Sequence, residues 1–198
     1  MSEQRGGADN ERYDRDLLLY GSKRDQVLDL WEVKRYGSDT FGDPDAISVY
    51  GMTPDDWFAR GIRLLGRTVV ECTRDVLARE IAADVATVAQ TSSSVPLVLD
   101  PFVGSANTLY WIQQRLPTSP AIGVDLDGAI CELTKRNLDV VQSRIDLLNL
   151  DYAAGLDRVA VQTSQPIVVY VAPPWGHALD PEVGLDLSRS EPPVAHVV

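Results

Sequence analysis

The chain has 198 residues, 44% of them hydrophobic, which is material for one sizeable core with an attached segment, and no apolar run reaches the roughly 18 residues of a membrane span. A formal net charge of −11 opposes binding to a phosphate backbone except through a local basic face. Two cysteines, Cys72 and Cys131, are too few for a disulfide framework, share no metal-ligand spacing with His177 or His196, and read as buried packing residues.

Residues 1–46 read as a tail and an N-terminal segment. Met1 to Asp14 lacks apolar periodicity, and no apolar stretch of secretory type follows it, so a cytoplasmic location is expected. Leu17 to Tyr20 and Val27 to Trp31 suggest short helical or irregular pieces, while Gly37 to Ala46 reads as loop from its Gly, Asp, Ser and Pro content. The candidate basic faces are Lys23 with Arg24, Lys34 with Arg35, and Arg60, Arg63 and Arg67. Each reads more simply as a solvated helix face.

Residues 47–94 read as a helical extension. Ile47 to Met52 is a short apolar run, and Thr53-Pro54-Asp55-Asp56 supplies a cap, a proline in the first turn and an acid three residues after the cap. Trp57, Phe58, Ile62, Leu65, Val69, Val76, Leu77, Ile81 and Val85 recur at helical spacing up to about Ala89. This segment is placed to cover one edge of a pocket.

Residues 95–198 alternate strand and helix. The spacing predicts a buried strand at Leu97 to Leu99, a turn of small residues at Val103 to Ala106, and a helix from about Asn107 to Arg115. A second strand over 121–124 leads to Asp127, placed to cap the next helix, and a third strand over 145–150 ends at Asp151. A short helix over 156–161 precedes a fourth strand over 166–171, followed by Ala172-Pro173-Pro174-Trp175-Gly176 and a polar tail. This is the pattern of an α/β, Rossmann-like, doubly wound parallel sheet with an N-terminal helical segment. Four strands are few for such a sheet, so a core incomplete at the C-terminus is one expectation and a small sheet the other.

Three acids, Asp100, Asp125 and Asp151, fall at the carboxyl ends of three successive strands, the rim where open α/β sheets bind ligands. Singly each is an ordinary turn former or cap. Together with the Gly104 turn and the Pro-Pro-Trp run they form a constellation.

Asp100-Pro101-Phe102-Val103-Gly104-Ser105 resembles the first motif of class I S-adenosylmethionine-dependent methyltransferases, particularly the amino-methylating branch. Gly123 to Asp127 resembles their second motif and Asn149-Leu150-Asp151 the third. Ala172 to Gly176 is similar to the Ser-Pro-Pro-Trp-Gly of the trimethylguanosine synthase group, which methylates a guanine exocyclic amine, and Gly51-Met52-Thr53-Pro54 echoes a turn of that group. The resemblance implies S-adenosyl-L-methionine as cofactor, with no metal. Asp100, Gly104, Phe102 and Asn107 would line its methionine end, Asp125 would hold the ribose, Leu126 would pack on the adenine and Asp151 would accept from the adenine amine. Pro173 and Trp175 would face the transferred methyl, Trp175 stacking on a flat acceptor, and a backbone carbonyl at Ala172 would take the amine. Ala106 stands where many members have glycine, and Ala172 where they carry Asp, Asn or Ser. The expected acceptor is an RNA guanine; the alternatives are a small metabolite, or a methyltransferase-fold binding protein without catalysis. His177 is better explained as a loop histidine than as a base.

Overall fold

The computed structural model describes residues 13–180 and 182–197. Of the segment 1–14 read as a tail, residues 1–12 lie outside these, as does Val198 at the end of the element expected over 194–198, whereas Tyr13 is buried in the core and Asp14 caps the helix that starts at Arg15. Four parallel strands, β1 (Leu97–Asp100), β2 (Ala121–Asp125), β3 (Ile145–Asn149) and β4 (Ile167–Val169), pair in the order β3-β2-β1-β4. The chain therefore steps one way from β1 to β3 and then crosses back to lay β4 on the other side of β1.

That reversal puts helices on both faces, because right-handed crossovers of opposite direction pass over opposite sides of a sheet. Alternation along the strands shows it. Val98, Ala121 and Ile145 join one core cluster with Leu109 and Ile112 of α6 (Asn107–Arg115) and Leu138 of α7 (Gly128–Val140). Leu97, Leu99 and Val124 join a second cluster with Val159 of α8 (Tyr152–Gln162). Asp127 and Asp151 cap α7 and α8 by accepting from their first-turn backbone N–H groups.

Among the described residues the N-terminal part holds five helices, α1 (Arg15–Leu19), α2 (Leu30–Phe41), α3 (Pro54–Ala59), α4 (Gly66–Glu71) and α5 (Asp75–Ala89). They share the larger core with the sheet through Leu18, Val33, Trp57, Val69 and Ala82. Two readings of this region are corrected. The expected loop from Gly37 begins inside α2, because a capping box of Asp29 and Glu32 starts that helix and Gly42, at φ +71, ends it only after Phe41. The single helix expected over 54–89 is three. Residues 62–66 leave the helix to pair with the chain at Gln26 to Leu28, and a Cβ on Gly66 would lie 2.2 Å from the Lys23 carbonyl. The Thr53 hydroxyl donates to Asp56 Oδ2 at 2.9 Å instead of capping the backbone.

Smaller differences fall at the C-terminal side. α8 starts four residues earlier than its apolar spacing suggests, since Asp151 caps it, and β4 is only three residues long. The polar tail contains a short hairpin, β5 (Leu179–Asp180) with β6 (Gly184–Leu185), and single 3₁₀ turns at Gly176–Ala178 and Val194–His196.

Candidate functional site

One cavity of about 1090 Å³ opens at the carboxyl ends of the strands, beside the β1/β4 junction where the strand order reverses. Switch points of this kind are where open α/β sheets bind ligands, and the volume is at or above the roughly 300–1,000 Å³ of a site for one small ligand. Its floor is the strand ends and its roof is α1, α2, α4 and the start of α5. All ten residues singled out in the sequence line it: Asp100, Phe102, Gly104, Asn107, Asp125, Leu126, Asp151, Ala172, Pro173 and Trp175.

The floor is built around the turn after β1. Gly123 lets this turn lie on β2, since a Cβ there would sit 2.5 Å from Val103 Cγ2, and the Val103 N–H donates to the Val124 carbonyl at 2.9 Å. Gly104 has φ +49, with open space where a side chain would be, and its N–H donates to Asp125 Oδ2 at 3.1 Å. The other Asp125 oxygen accepts from the Asp127 N–H at 2.9 Å. The carboxylate at the end of β2 thus ties two turns together while facing the cavity.

Ala106, standing where many members of the resembled family have glycine, has φ +58 and ψ +13 and is buried as the N-cap of α6. An L-residue there carries strain of about 1–2 kcal/mol.

Asn107 lines the cavity but spends its side chain within the protein. Its Oδ1 accepts from the Tyr50 N–H at 2.7 Å, and its Nδ2 donates to the Thr73 carbonyl at 2.7 Å and Asp75 Oδ1 at 3.0 Å. Both ends of the amide anchor the N-terminal segment to α6 instead of turning to a ligand. Asp75 also accepts from the Gly51 N–H at 2.8 Å and from Trp111 Nε1 at 2.6 Å, so one buried carboxylate joins the start of α5, the hairpin at Gly51 and α6. The turn presenting the Gly51 N–H is a tight hairpin of Val49 and Met52 with Tyr50 at φ +55 and Gly51 at φ +81.

Burial sets the charge of the floor. Asp100 is 3% exposed, and desolvation pushes its carboxyl up to about 7, with Asp125 adding to the rise and the Phe102 N–H, donating at 3.0 Å, opposing it. Burial also raises Asp125, against the N–H groups of Asp127 and Gly104. Leu126, 72% exposed, and the exposed Asp151 stand at the outer edge, while Phe102 packs on Tyr152 with ring centroids 5.3 Å apart.

Beyond β4 the half-buried Tyr170 packs against the larger core, its phenol pushed up to about 12 by burial, with Asp100 adding to the rise. Ala172, Pro173 and Trp175 follow, the indole half-buried against the cavity. His177 stacks on Tyr20, centroids 4.6 Å apart. Both cysteines are buried and unpaired, Cys72 pushed up to about 12 by burial, and no group of potential metal ligands occurs among the described residues.

Four residues of the roof were not singled out in the sequence as site residues: Arg15, Tyr20, Glu71 and Arg74. Arg74 places its guanidinium 4.1 Å over the Phe41 ring, and among the described residues no carboxylate pairs with it. Glu71 is raised by burial despite Arg24, Arg67 and Arg15 nearby. No periodicity or spacing marks them, because they reach the site by folding of a segment that is more than 20 residues from the nearest strand.

The candidate basic faces are largely neutralised. Lys23 pairs with Glu32 at 2.5 Å, Arg35 with Asp39 at 2.7 Å, Lys34 with Asp45 at 3.3 Å and with Asp55, and Arg67 with Asp25 at 3.1 Å and Asp127 at 2.6 Å. No helix among the described residues is long and apolar enough to cross a membrane.

No protein-family model matches this chain, and no curated protein matches it. A solved structure of the plantazolicin methyltransferase BpumL, in complex with a monoazolic desmethylPZN analog and SAH, is similar at 16% identity with a TM-score of 0.32. The likeness covers 38% of this chain and 28% of that one, so this chain spans little more than a quarter of that protein's structure. An overlap of that size assigns no activity and does not bear on the trimethylguanosine synthase group.

Proposed function

We propose that the chain binds S-adenosylmethionine at this cavity and transfers its methyl to a nitrogen of a planar acceptor. The observation that carries the reading is the convergence of Asp100, Asp125, Asp151 and the Gly104 bend at one strand-end rim, with an open space over a left-handed glycine. Asp125, after β2, is suited to accept from two ribose hydroxyls; Asp151 and Leu126, at the outer edge, suit an adenine. The positively charged sulfonium and α-ammonium then lie toward Asp100, whose burial makes an incoming cation valuable. Arg74, on the roof and without a paired carboxylate among the described residues, suits the methionine carboxylate.

Transfer from a sulfonium is an in-line displacement: the acceptor nitrogen's lone pair forms the new bond as the carbon–sulfur bond breaks, and its electrons return to sulfur. Alignment is the chief requirement. Pro173 and Trp175 wall the acceptor side, the indole offering a flat face for stacking. Ala172 has no side-chain acceptor, so its carbonyl is the group available to the target amine.

An RNA guanine is the acceptor that the motif resemblance implies. A small planar acceptor is the second reading, favoured by the acid-paired surface cations and by a cavity roofed on one side. Calorimetry with S-adenosylhomocysteine tests the cofactor: wild-type binding is expected, and Asp125→Ala should weaken it by about 1–3 kcal/mol. No binding, or an unchanged affinity in the variant, counts against the assignment. Methyl transfer to guanine-containing RNA compared with nucleosides separates the two acceptors, and cofactor binding without transfer to either marks a binding protein.

A further inference from the structure

The two ends of the described chain meet on the acceptor side of the cavity. Arg15, the first residue of α1, donates from Nη1 to the Leu179 carbonyl at 3.1 Å and from Nη2 to the Gly176 carbonyl, across more than 160 residues of sequence. Glu71, at the end of α4, lines the cavity on this same side. The next ring, His177, lies on Tyr20 with an interplanar angle of 5°, and Arg15 stands 5.9 Å from that tyrosine ring. Gly176 directly follows Trp175 and has φ +48, so its carbonyl is gripped at a point where the backbone bends.

Arginine is a costly way to make this contact. Its guanidinium is held by neutral carbonyls, its Nε is buried without a partner, and no ion pair with a carboxylate occurs among the described residues. Desolvating that charge offsets much of what two hydrogen bonds contribute. An aliphatic residue would pack α1 more cheaply but could not hold two carbonyls of an irregular loop in a set direction.

We propose that Arg15 and Tyr20 are positioning residues that lock the Trp175–Leu179 loop, so that the acceptor side of the cavity is complete only when α1 is docked. For its purpose this rests on the methyl-transfer reading; its geometry rests on the contacts alone. The indole of Trp175 is thereby oriented by residues at the opposite end of the chain.

Hydrogen–deuterium exchange on the full chain tests it at amides 175–180, with S-adenosylhomocysteine affinity measured alongside. Arg15→Ala and Tyr20→Leu should each speed exchange there by about tenfold or more, while β1 and α6 keep their protection and S-adenosylhomocysteine affinity stays within about twofold. Arg15→Lys, able to reach one carbonyl, should recover part of the protection. Trp175 emission, taken as the difference between each variant and its Trp175→Phe counterpart, should shift to the red. Tyr20 is 40% exposed, so its replacement spares the core should Arg15→Ala fail to fold. Unchanged exchange at 175–180 in the folded variants overturns the proposal, and so does acceleration spread evenly over the chain. A wild type that binds no S-adenosylhomocysteine overturns the methyl-donor reading and the purpose given to the loop lock, and is seen before any variant is made.

Discussion

Asp100 is where burial and ligand chemistry conflict most directly. Its carboxyl is raised to about 7, against about 3.9 in an unfolded chain, so between those values the folded protein holds a proton that the unfolded chain releases. Stability from this group is therefore greatest below about pH 4 and falls as pH rises to about 7, by on the order of 4 kcal/mol in all. Asp100→Asn keeps the acceptor for the Phe102 N–H and removes the charge. Urea unfolding should show the variant more stable than wild type at pH 8 and the gap closing toward pH 4; an equal gap at both would refute the buried, raised carboxyl. The same variant should lose affinity for a sulfonium ligand, and wild-type affinity should rise from pH 6 to pH 8 as Asp100 ionises.

A second residue-scale prediction concerns Ala106. Replacing it by glycine relieves about 1–2 kcal/mol of left-handed strain, but loses a buried methyl worth about 0.8 kcal/mol and adds about 0.4–1 kcal/mol of unfolded-chain entropy. Ala106→Gly should thus change stability by less than about 1 kcal/mol, whereas β-branched Ala106→Val should cost more than about 2 kcal/mol. Similar denaturation midpoints for the two variants would show that the backbone is not left-handed here.

At the scale of elements, the start of α5 joins the roof to the sheet. Asp75 accepts from Gly51, Asn107 and Trp111 while 4% exposed, so Asp75→Ala leaves three donors unpaired. The expected loss is about 3 kcal/mol or more, with Asp75→Asn recovering part of it, read by thermal or urea denaturation. A cost below about 1 kcal/mol would mean that these helices sit on the sheet by apolar packing alone. The three helices over 54–89 have the same origin: their apolar spacing is helical throughout, but tertiary pairing of residues 62–66 with 26–28 outweighs local propensity.

For the whole molecule, the cavity has Asp100, Asp125 and Asp151 on the sheet floor and Arg15 and Arg74, beside Glu71, on the helical roof. If Arg74 meets the cofactor's carboxylate, Arg74→Ala should weaken S-adenosylhomocysteine by about tenfold and leave 5′-methylthioadenosine, which lacks the amino-acid end, unchanged. Equal losses for both ligands would place Arg74 elsewhere in the recognition. Saturating S-adenosylhomocysteine should also raise the melting temperature, by a free energy of about 2.7 kcal/mol at one hundred times Kd.

The strand-end acids, the Gly104 turn and the order of four strands and their helices were legible in the sequence because they are local: apolar runs of strand length, small residues where backbone must bend, and carboxylates next to helix starts. Asp127 and Asp151 cap their helices within three residues of where they stand. Tertiary structure alone decided what closes the site. Arg15, Glu71, Arg74 and the use of Asn107 as an anchor depend on contacts between segments tens to more than a hundred residues apart, and such contacts leave no period in a sequence. Local chemistry writes the floor of the cavity into the chain, whereas its roof exists only once long-range burial has brought the N-terminal helices onto the sheet.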